Sequence, residues 1–392
     1  MTLKIPGNTR LVGEVTPTGS VFSAITLACA SVLFSDEVIL ENVPQVSAFI
    51  KFLSNLKIQG TSFSWIGKNA LSLSTPTIIS SEILDSIMVP VMLARFGEFK
   101  IPKTLVSNVL ISWLKALNVE LLITSDVIGG KLSTPRPLNL NLENSLEISL
   151  ASLLLAVKIS EESTFTNFLI TEETLDLIAF LRSSGITVIE DPKIAGNLKV
   201  TGATTLEKSS FTLSASSFEA GFWLAASILS CGDIKIINAP KERLISLLSK
   251  LTTMQATFDF SGNSLRIWRE PSHKLLPLDI EINKTQFLYD FLPVLVPILL
   301  TASGTSKIIG VDLVEELATS DLNLFNAKIS DNEIIGPASL KGSKVAITNF
   351  YNGVSVLLVA LGSGSRSEIL ESESILDYFD GLEAKLKSLY SS

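Results

Sequence analysis

The sequence predicts a two-domain α/β architecture in which one supersecondary unit occurs six times. Three observations carry that expectation. An apolar helical stretch, a short strand ending in a turn, and an amphipathic helix recur in the same order along the whole chain. The amphipathic helices begin 59 to 72 residues apart, about one sixth of the 392-residue chain. At roughly 150 residues per domain the length suits two or three cores, and three units in each half supply one core per half.

The apolar stretches are Ser20–Phe34, Leu84–Phe96, Ser145–Ile159, Ser217–Cys231, Asp290–Ser303 and Phe350–Gly362. Segments such as SVFSAITLACASVLF are apolar nearly all round, so they belong inside a domain. A strand follows each of them: VILENV from Val38, EFKIP from Glu98, TFTNFLI from Thr164, DIKIINAP from Asp233, TSKIIGV from Thr305 and SRSEIL from Ser365. The second helices start at Gln45, Thr104, Thr171, Lys241, Leu313 and Ser374. Their apolar residues recur at i, i+3, i+4 and i+7, which places them on one face. In the third, Thr171 reads as an N-cap before the acidic first-turn residues Glu172 and Glu173, and Gly185 is placed to stop the helix. A helix apolar all round needs layers around it, so three units should pack about a shared axis with sheets outside and apolar helices inside.

The polar stretch GATTLEKSS at Gly202–Ser210 marks one crossing between halves, and TPTG at Thr16–Gly19 marks the other. The expected domains are therefore residues 19–205, and residues 1–18 together with 206–392. A double crossing makes a hinge, and clefts between domains are preferred ligand sites.

Composition excludes several functions. Hydrophobic residues are 46% of the chain and charged residues 18%, with a mean hydropathy of +0.43, so a sizeable core is expected and disorder is not. A net charge of −8 argues against nucleic-acid binding, which needs clustered Lys and Arg. Cys29 and Cys231 lie in apolar context, which fits a reducing compartment, and the single histidine, His273, removes most zinc and Ser-His-Asp chemistry. No secretory h-region is visible. The apolar run Phe291–Ala302 is interrupted by two prolines and is shorter than the ~20 residues a bilayer span requires. The expectation is a soluble cytoplasmic protein that contacts no membrane. Gly129-Gly130 and Gly362-Ser363-Gly364 read as turn glycines, since no Lys-Ser/Thr follows to make a phosphate loop.

Taken in order, several segments resemble the enolpyruvyl transferase family, most closely its UDP-N-acetylglucosamine 1-carboxyvinyltransferase branch. They are LKIPGNTRLVGEVTPTGS, VILENVP, Ala94-Arg95-Phe96-Gly97, SSFEAGFWLAASILSCGDIKIINAP, Asp290 before an apolar helix, and the closing GLEAKLKSL. The resemblance spans essentially the whole chain. It implies the two-domain fold of that family, an inside-out α/β barrel of six βαβαββ-type units. It also implies transfer of an enolpyruvyl group from phosphoenolpyruvate to a hydroxyl of a UDP-sugar in peptidoglycan precursor synthesis, with no cofactor and no metal.

Such chemistry needs a base for the hydroxyl, an acid for the methylene carbon, and fixed cations for carboxylate and phosphate. Arg suits the last task through its bidentate fork. Where the resemblance expects Ser-Gly-x-Lys-Asn, this chain has Thr18-Gly19-Ser20-Val21-Phe22. The family's mobile loop, with its acid and arginine, is replaced by Ile101-Pro102 running into Lys103–Asn108. Asp-Arg-x-Glu becomes Ser216-Ser217-Phe218-Glu219, Asn-Arg-Phe falls on Val314–Leu317, and Asp-x-Arg on Asn349-Phe350-Tyr351. Asp290 matches the aspartate that faces the acceptor hydroxyl and is the expected catalytic base, although it is also placed to cap the following helix. Glu219 and Asn349 are the expected substrate-binding residues, and Arg95 reads as a helix-end arginine. The resulting expectation is a divergent member, catalytically impaired, with a binding or regulatory role and a protein partner the sequence does not name. The alternative is an active carboxyvinyl transferase using phosphoenolpyruvate and a UDP-sugar, favoured if Arg266, Arg269, Lys307 or Lys344 converge on Asp290.

Overall fold

The computed structural model describes residues 1–75, 82–206 and 209–390. The chain forms two compact units, Gly19–Ser214 and Met1–Thr18 with Ala215–Ser392. The first contains the apolar helices Val21–Ser31, Met88–Phe96 and Leu146–Ala156; the second contains Ser217–Leu229, Leu292–Leu299 and Phe350–Leu361. All six expected apolar stretches are thus helical. Every residue of Ser217–Leu229 except Phe218 is buried, as its all-round apolar pattern demands. A fully buried Leu or Phe contributes about 1.5–3 kcal/mol, so these helices hold the centre of each unit.

Several polar groups inside this core find partners on neighbouring elements. The hydroxyl of Ser227 donates to the carbonyl of Ile267 at 2.8 Å, and the Trp113 indole donates to Ser152 at 2.8 Å. In Leu292–Leu299 an interior proline, Pro297, leaves the carbonyl of Pro293 without its helical donor. Ser355 of the neighbouring helix Phe350–Leu361 supplies one at 2.9 Å.

Among the described residues the strands form six open sheets of three or four strands. Each four-stranded sheet contains one parallel pair and two antiparallel pairs. Val12–Val15 runs parallel to Asp233–Ile236, which is antiparallel to Ser264–Trp268, which in turn pairs with Thr257–Ser261. Thr2–Ile5 pairs antiparallel with Ser367–Leu370, so the N-terminal strand completes the sheet of the last unit. The strand Ser209–Thr212 lies parallel to Val38–Glu41. That pairing keeps it in the first unit and places the crossing at Ser214/Ala215 instead of 205/206. Of the expected linker Gly202–Ser210, residues 207–208 lie outside the described residues.

The second helices form with local differences. Thr171 caps Glu172–Ser183 through a capping box with Thr174, and Gly185 takes a left-handed φ of 87° just past its end. The fifth is broken at Ala318, where φ is 47°, into Leu313–Leu317 and Thr319–Asn323. The sixth is split into Glu373–Leu376 and Leu382–Leu389. Gly129 and Gly130 are not turn residues; they lie within the strand Val127–Lys131. A Cβ at Gly130 would fall 2.3 Å from the ring of Phe99, so close packing by Phe99 requires that glycine. Among the described residues no helix is long and apolar enough to cross a membrane.

Candidate active site

In the second unit the three apolar helices bring their N-terminal ends together. The rings of Phe218 and Phe350, each in a first turn, have centroids 5.3 Å apart. A Cβ on Gly221 would meet the ring of Phe291 at 2.8 Å, so the glycine lets the turn before Leu292 approach Ser217–Leu229. Glu219, Asp290 and Asn349 all lie at this end. Three helix N-termini carry partial positive charge, which favours carboxylates there.

Each of the three is held differently. Glu219 is buried, with both oxygens engaged inside the unit. Oε1 accepts from Lys385 Nζ at 2.6 Å and from the Trp223 indole at 3.0 Å. Oε2 accepts from the Thr18 backbone N–H at 3.0 Å and its hydroxyl at 3.4 Å. Glu219 thereby ties the end of the first crossing segment to the C-terminal helix Leu382–Leu389. Asn349 is the N-cap of Phe350–Leu361, and its side chain accepts from the Asn352 N–H at 2.9 Å. Asp290 is half-buried in the 3-10 turn Phe287–Phe291. It is not the N-cap of the helix that follows: that position is Phe291, whose side chain makes no capping bond.

Beside Asp290, the Tyr289 hydroxyl donates to Glu316. Burial first, and then that hydrogen bond, push the phenol far above its ordinary pKa, so Tyr289 is a donor at neutral pH. Glu316 also pairs with Lys284 at 2.5 Å, an interaction that raises the pKa of the lysine. The segment where an arginine was expected, Val314–Leu317, therefore presents an acid that Tyr289 and Lys284 already occupy. At Asn349-Phe350-Tyr351 the same substitution yields an aromatic cluster. Phe350 packs on Tyr351 at 5.6 Å and on Tyr378 at 5.0 Å, with Phe379 and Phe218 beside it. Tyr351 is 42% exposed at its edge.

In the first unit, Ser20 caps Val21–Ser31 by accepting from the Ser23 N–H at 3.4 Å. Val21, standing where a lysine was expected, is buried, and Phe22 is exposed. Past Ile101-Pro102 the chain makes the 3-10 turn Lys103–Leu105 and then the helix Asn108–Ala116. Ser107 caps that helix at 2.9 Å and donates its hydroxyl to Glu147 at 2.5 Å. The segment is thus a short turn, held at one end by the Lys103 N–H donating to the Asp126 carbonyl at 2.8 Å and at the other by Ser107. Arg95 donates to the carbonyl of Val32, which ends Val21–Ser31, and to that of Thr75 at 3.3 Å. This is the helix-end role expected of it.

The other cations are held on the sheets. Arg266 forks onto Asp233 at 2.9 and 2.7 Å, and Arg269 donates to the carbonyls of Ile228 and His273 at 3.2 and 3.3 Å. Lys307 pairs with Glu333 at 3.5 Å and Lys344 with Glu368 at 3.9 Å. Among the described residues no cluster of three or more His, Cys, Asp or Glu stands ready to hold a metal ion. Sequence reasoning missed Lys385 and Tyr289. The i, i+4 spacing of Glu219 and Trp223 was a usable signal for the buried carboxylate, but nothing local points to its partner 166 residues away.

Comparison with known proteins agrees with this geometry at the level of fold and family. Residues 110–386 match the family model of EPSP synthase (3-phosphoshikimate 1-carboxyvinyltransferase). The chain is 26% identical to the UDP-N-acetylglucosamine 1-carboxyvinyltransferase of Chlorobium limicola, across 99% of this chain and 96% of that one. It is 25% identical to the Deinococcus deserti protein of the same name, across 92% and 89%. Its fold matches the enolpyruvyl transferase NikO from Streptomyces tendae with a TM-score of 0.86 at 16% identity, covering 100% of this chain and 98% of that one. An EPSP synthase from Acinetobacter baumannii matches with a TM-score of 0.77 at 13% identity, covering 99% and 98%.

Proposed function

The chain belongs to the EPSP synthase family of enolpyruvyl transferases, and from that membership we propose that it is a divergent member that binds a ligand or partner without transferring enolpyruvyl groups. The fate of the cations carries this reading. Phosphoenolpyruvate brings a carboxylate and a phosphate, and a transferring site must meet both with fixed positive charge. At the positions where the resemblance expects cations, this chain has Val21, Ser217, Glu315-Glu316 and Tyr351. Four arginines elsewhere, Arg95, Arg182, Arg266 and Arg269, donate to carbonyls or carboxylates within the fold. Losing one preorganised donor costs about 2.7–4 kcal/mol, or roughly 10²–10³ in rate. Losses at one site are not additive, yet several together remove most of an enzyme's advantage.

A second reading has its own support. The identity to carboxyvinyltransferases runs along nearly the whole chain, and Asp290 keeps its place before the fifth apolar helix. In that reading Asp290 takes the proton of an acceptor hydroxyl on UDP-N-acetylglucosamine or a related compound, and Asn349 and Glu219 line the acceptor side. The hydroxyl oxygen bonds to the substituted carbon of phosphoenolpyruvate while its methylene carbon gains a proton. Loss of that proton and of phosphate then restores the double bond. A phosphate-release assay with both substrates separates the two readings. The first predicts no release above the uncatalysed background. Release that needs both substrates and disappears in Asp290→Asn would establish the second.

A further inference from the structure

The first unit holds a cavity of about 410 Å³ whose floor is apolar, formed by Ile87, Pro90, Leu110, Leu146 and Leu150. It lies among the helices Met88–Phe96, Asn108–Ala116 and Leu146–Ala156, a size and setting suited to a small molecule. One lining residue carries a formal charge, and that residue is Glu147. Ser107 donates to its Oε2 at 2.5 Å, which fixes the carboxylate's position and leaves the other oxygen for a donor. No lysine or arginine lines the space.

We propose that this cavity binds a small organic cation, an aliphatic or alicyclic amine whose ammonium meets Glu147 and whose body fills the apolar floor. The proposal rests on the ligand-binding reading above and names its chemistry. Phosphate and carboxylate groups are disfavoured here, because the fixed charge is negative and the walls offer no cation. A neutral molecule of the same shape gains the apolar contact but not the charge-assisted hydrogen bond, which is the stronger kind. Glu147 stands on the helix Leu146–Ala156 and is oriented by Ser107, the cap residue of the neighbouring helix Asn108–Ala116, so its position is built in.

Three probes of one shape test this on the full chain at pH 7: cyclohexylmethylamine, cyclohexylmethanol and cyclohexanecarboxylate, titrated by calorimetry and ligand-observed NMR. The amine should bind about tenfold tighter than the alcohol, and the carboxylate should not bind. Glu147→Gln keeps an acceptor for Ser107, so the fold is retained; it should lower the amine to the level of the alcohol and leave the alcohol unchanged. Leu146→Trp, at a half-buried lining position, should remove both. Equal binding of amine and carboxylate, indifference of the amine to Glu147→Gln, or no binding of the amine at 20 mM would each overturn the proposal. The phosphate-release assay is independent: turnover together with amine binding would reject the proposed function and leave the cavity's specificity standing.

Discussion

Replacing Glu219 with alanine should destabilise the second unit severely, and the structure sets the size of the effect. The carboxylate is 6% exposed and its partner Lys385 is 19% exposed. Truncation strands the Lys385 ammonium, the Trp223 indole N–H and the Thr18 amide, all of which now donate to Glu219. Breaking a buried pair by removing one partner costs about 3–5 kcal/mol. For a unit of this size each kcal/mol shifts Tm by about 2–4 °C, so the loss should be about 6–20 °C. Lys385→Met should cost less, because Glu219 keeps the Trp223 and Thr18 donors. The double variant Glu219→Ala with Lys385→Met removes both charges and should recover part of the loss, because no uncompensated ammonium is then left buried. Thermal and urea unfolding followed by circular dichroism and tryptophan fluorescence would measure all four corners of the cycle. If Glu219→Ala shifted Tm by less than 2 °C and the coupling were below about 0.5 kcal/mol, the clamp would be refuted. Glu219 would then be free to serve a ligand.

Two further predictions concern single groups. Ser355→Ala removes the hydroxyl that satisfies the Pro293 carbonyl beside Pro297, leaving a buried acceptor unmet at a cost of about 1–3 kcal/mol; an unchanged urea midpoint would show that the carbonyl finds another donor. Burial raises the pKa of the Asp85 carboxyl, while its hydrogen bond from the Ile87 N–H pulls the other way. The folded state therefore holds this proton to higher pH than the unfolded chain, so its contribution is fully present below about pH 3.9 and is lost as pH rises through the raised value. Asp85→Asn keeps an acceptor for Ile87 and should raise Tm at pH 7 but not at pH 3; a gain at both, or at neither, would contradict that sign.

Much of the fold was legible because its strongest signals are local. A helix such as Ser217–Leu229, apolar all round, announces its burial, and its recurrence announces the unit. What escaped depended on distance or on conformation without a residue marker. Ala318 adopts φ of 47° with no Gly or Pro at hand, so the break in the fifth amphipathic helix had no sequence sign. Asp290 looked like a helix cap, but a 3-10 turn precedes Leu292–Leu299 and shifts the cap to Phe291. The strand Ser209–Thr212 is short and polar, and only its pairing with Val38–Glu41 assigns it to the first unit. At the candidate site the substituted positions could be read directly. The pairs Glu219–Lys385 and Tyr289–Glu316 join sequence-distant elements, and no periodicity encodes them.

The central claim is that this member of the family lacks the charges to hold phosphoenolpyruvate and the UDP-sugar and so does not transfer enolpyruvyl groups. It meets its most direct test in calorimetric titration of the full chain at low salt. UDP-N-acetylglucosamine is added first and phosphoenolpyruvate second, to wild type and to Asp290→Asn. The account predicts no heat from either ligand at millimolar concentration, in either protein. Saturable binding to the wild type that Asp290→Asn abolishes would contradict it and restore Asp290 as a working base.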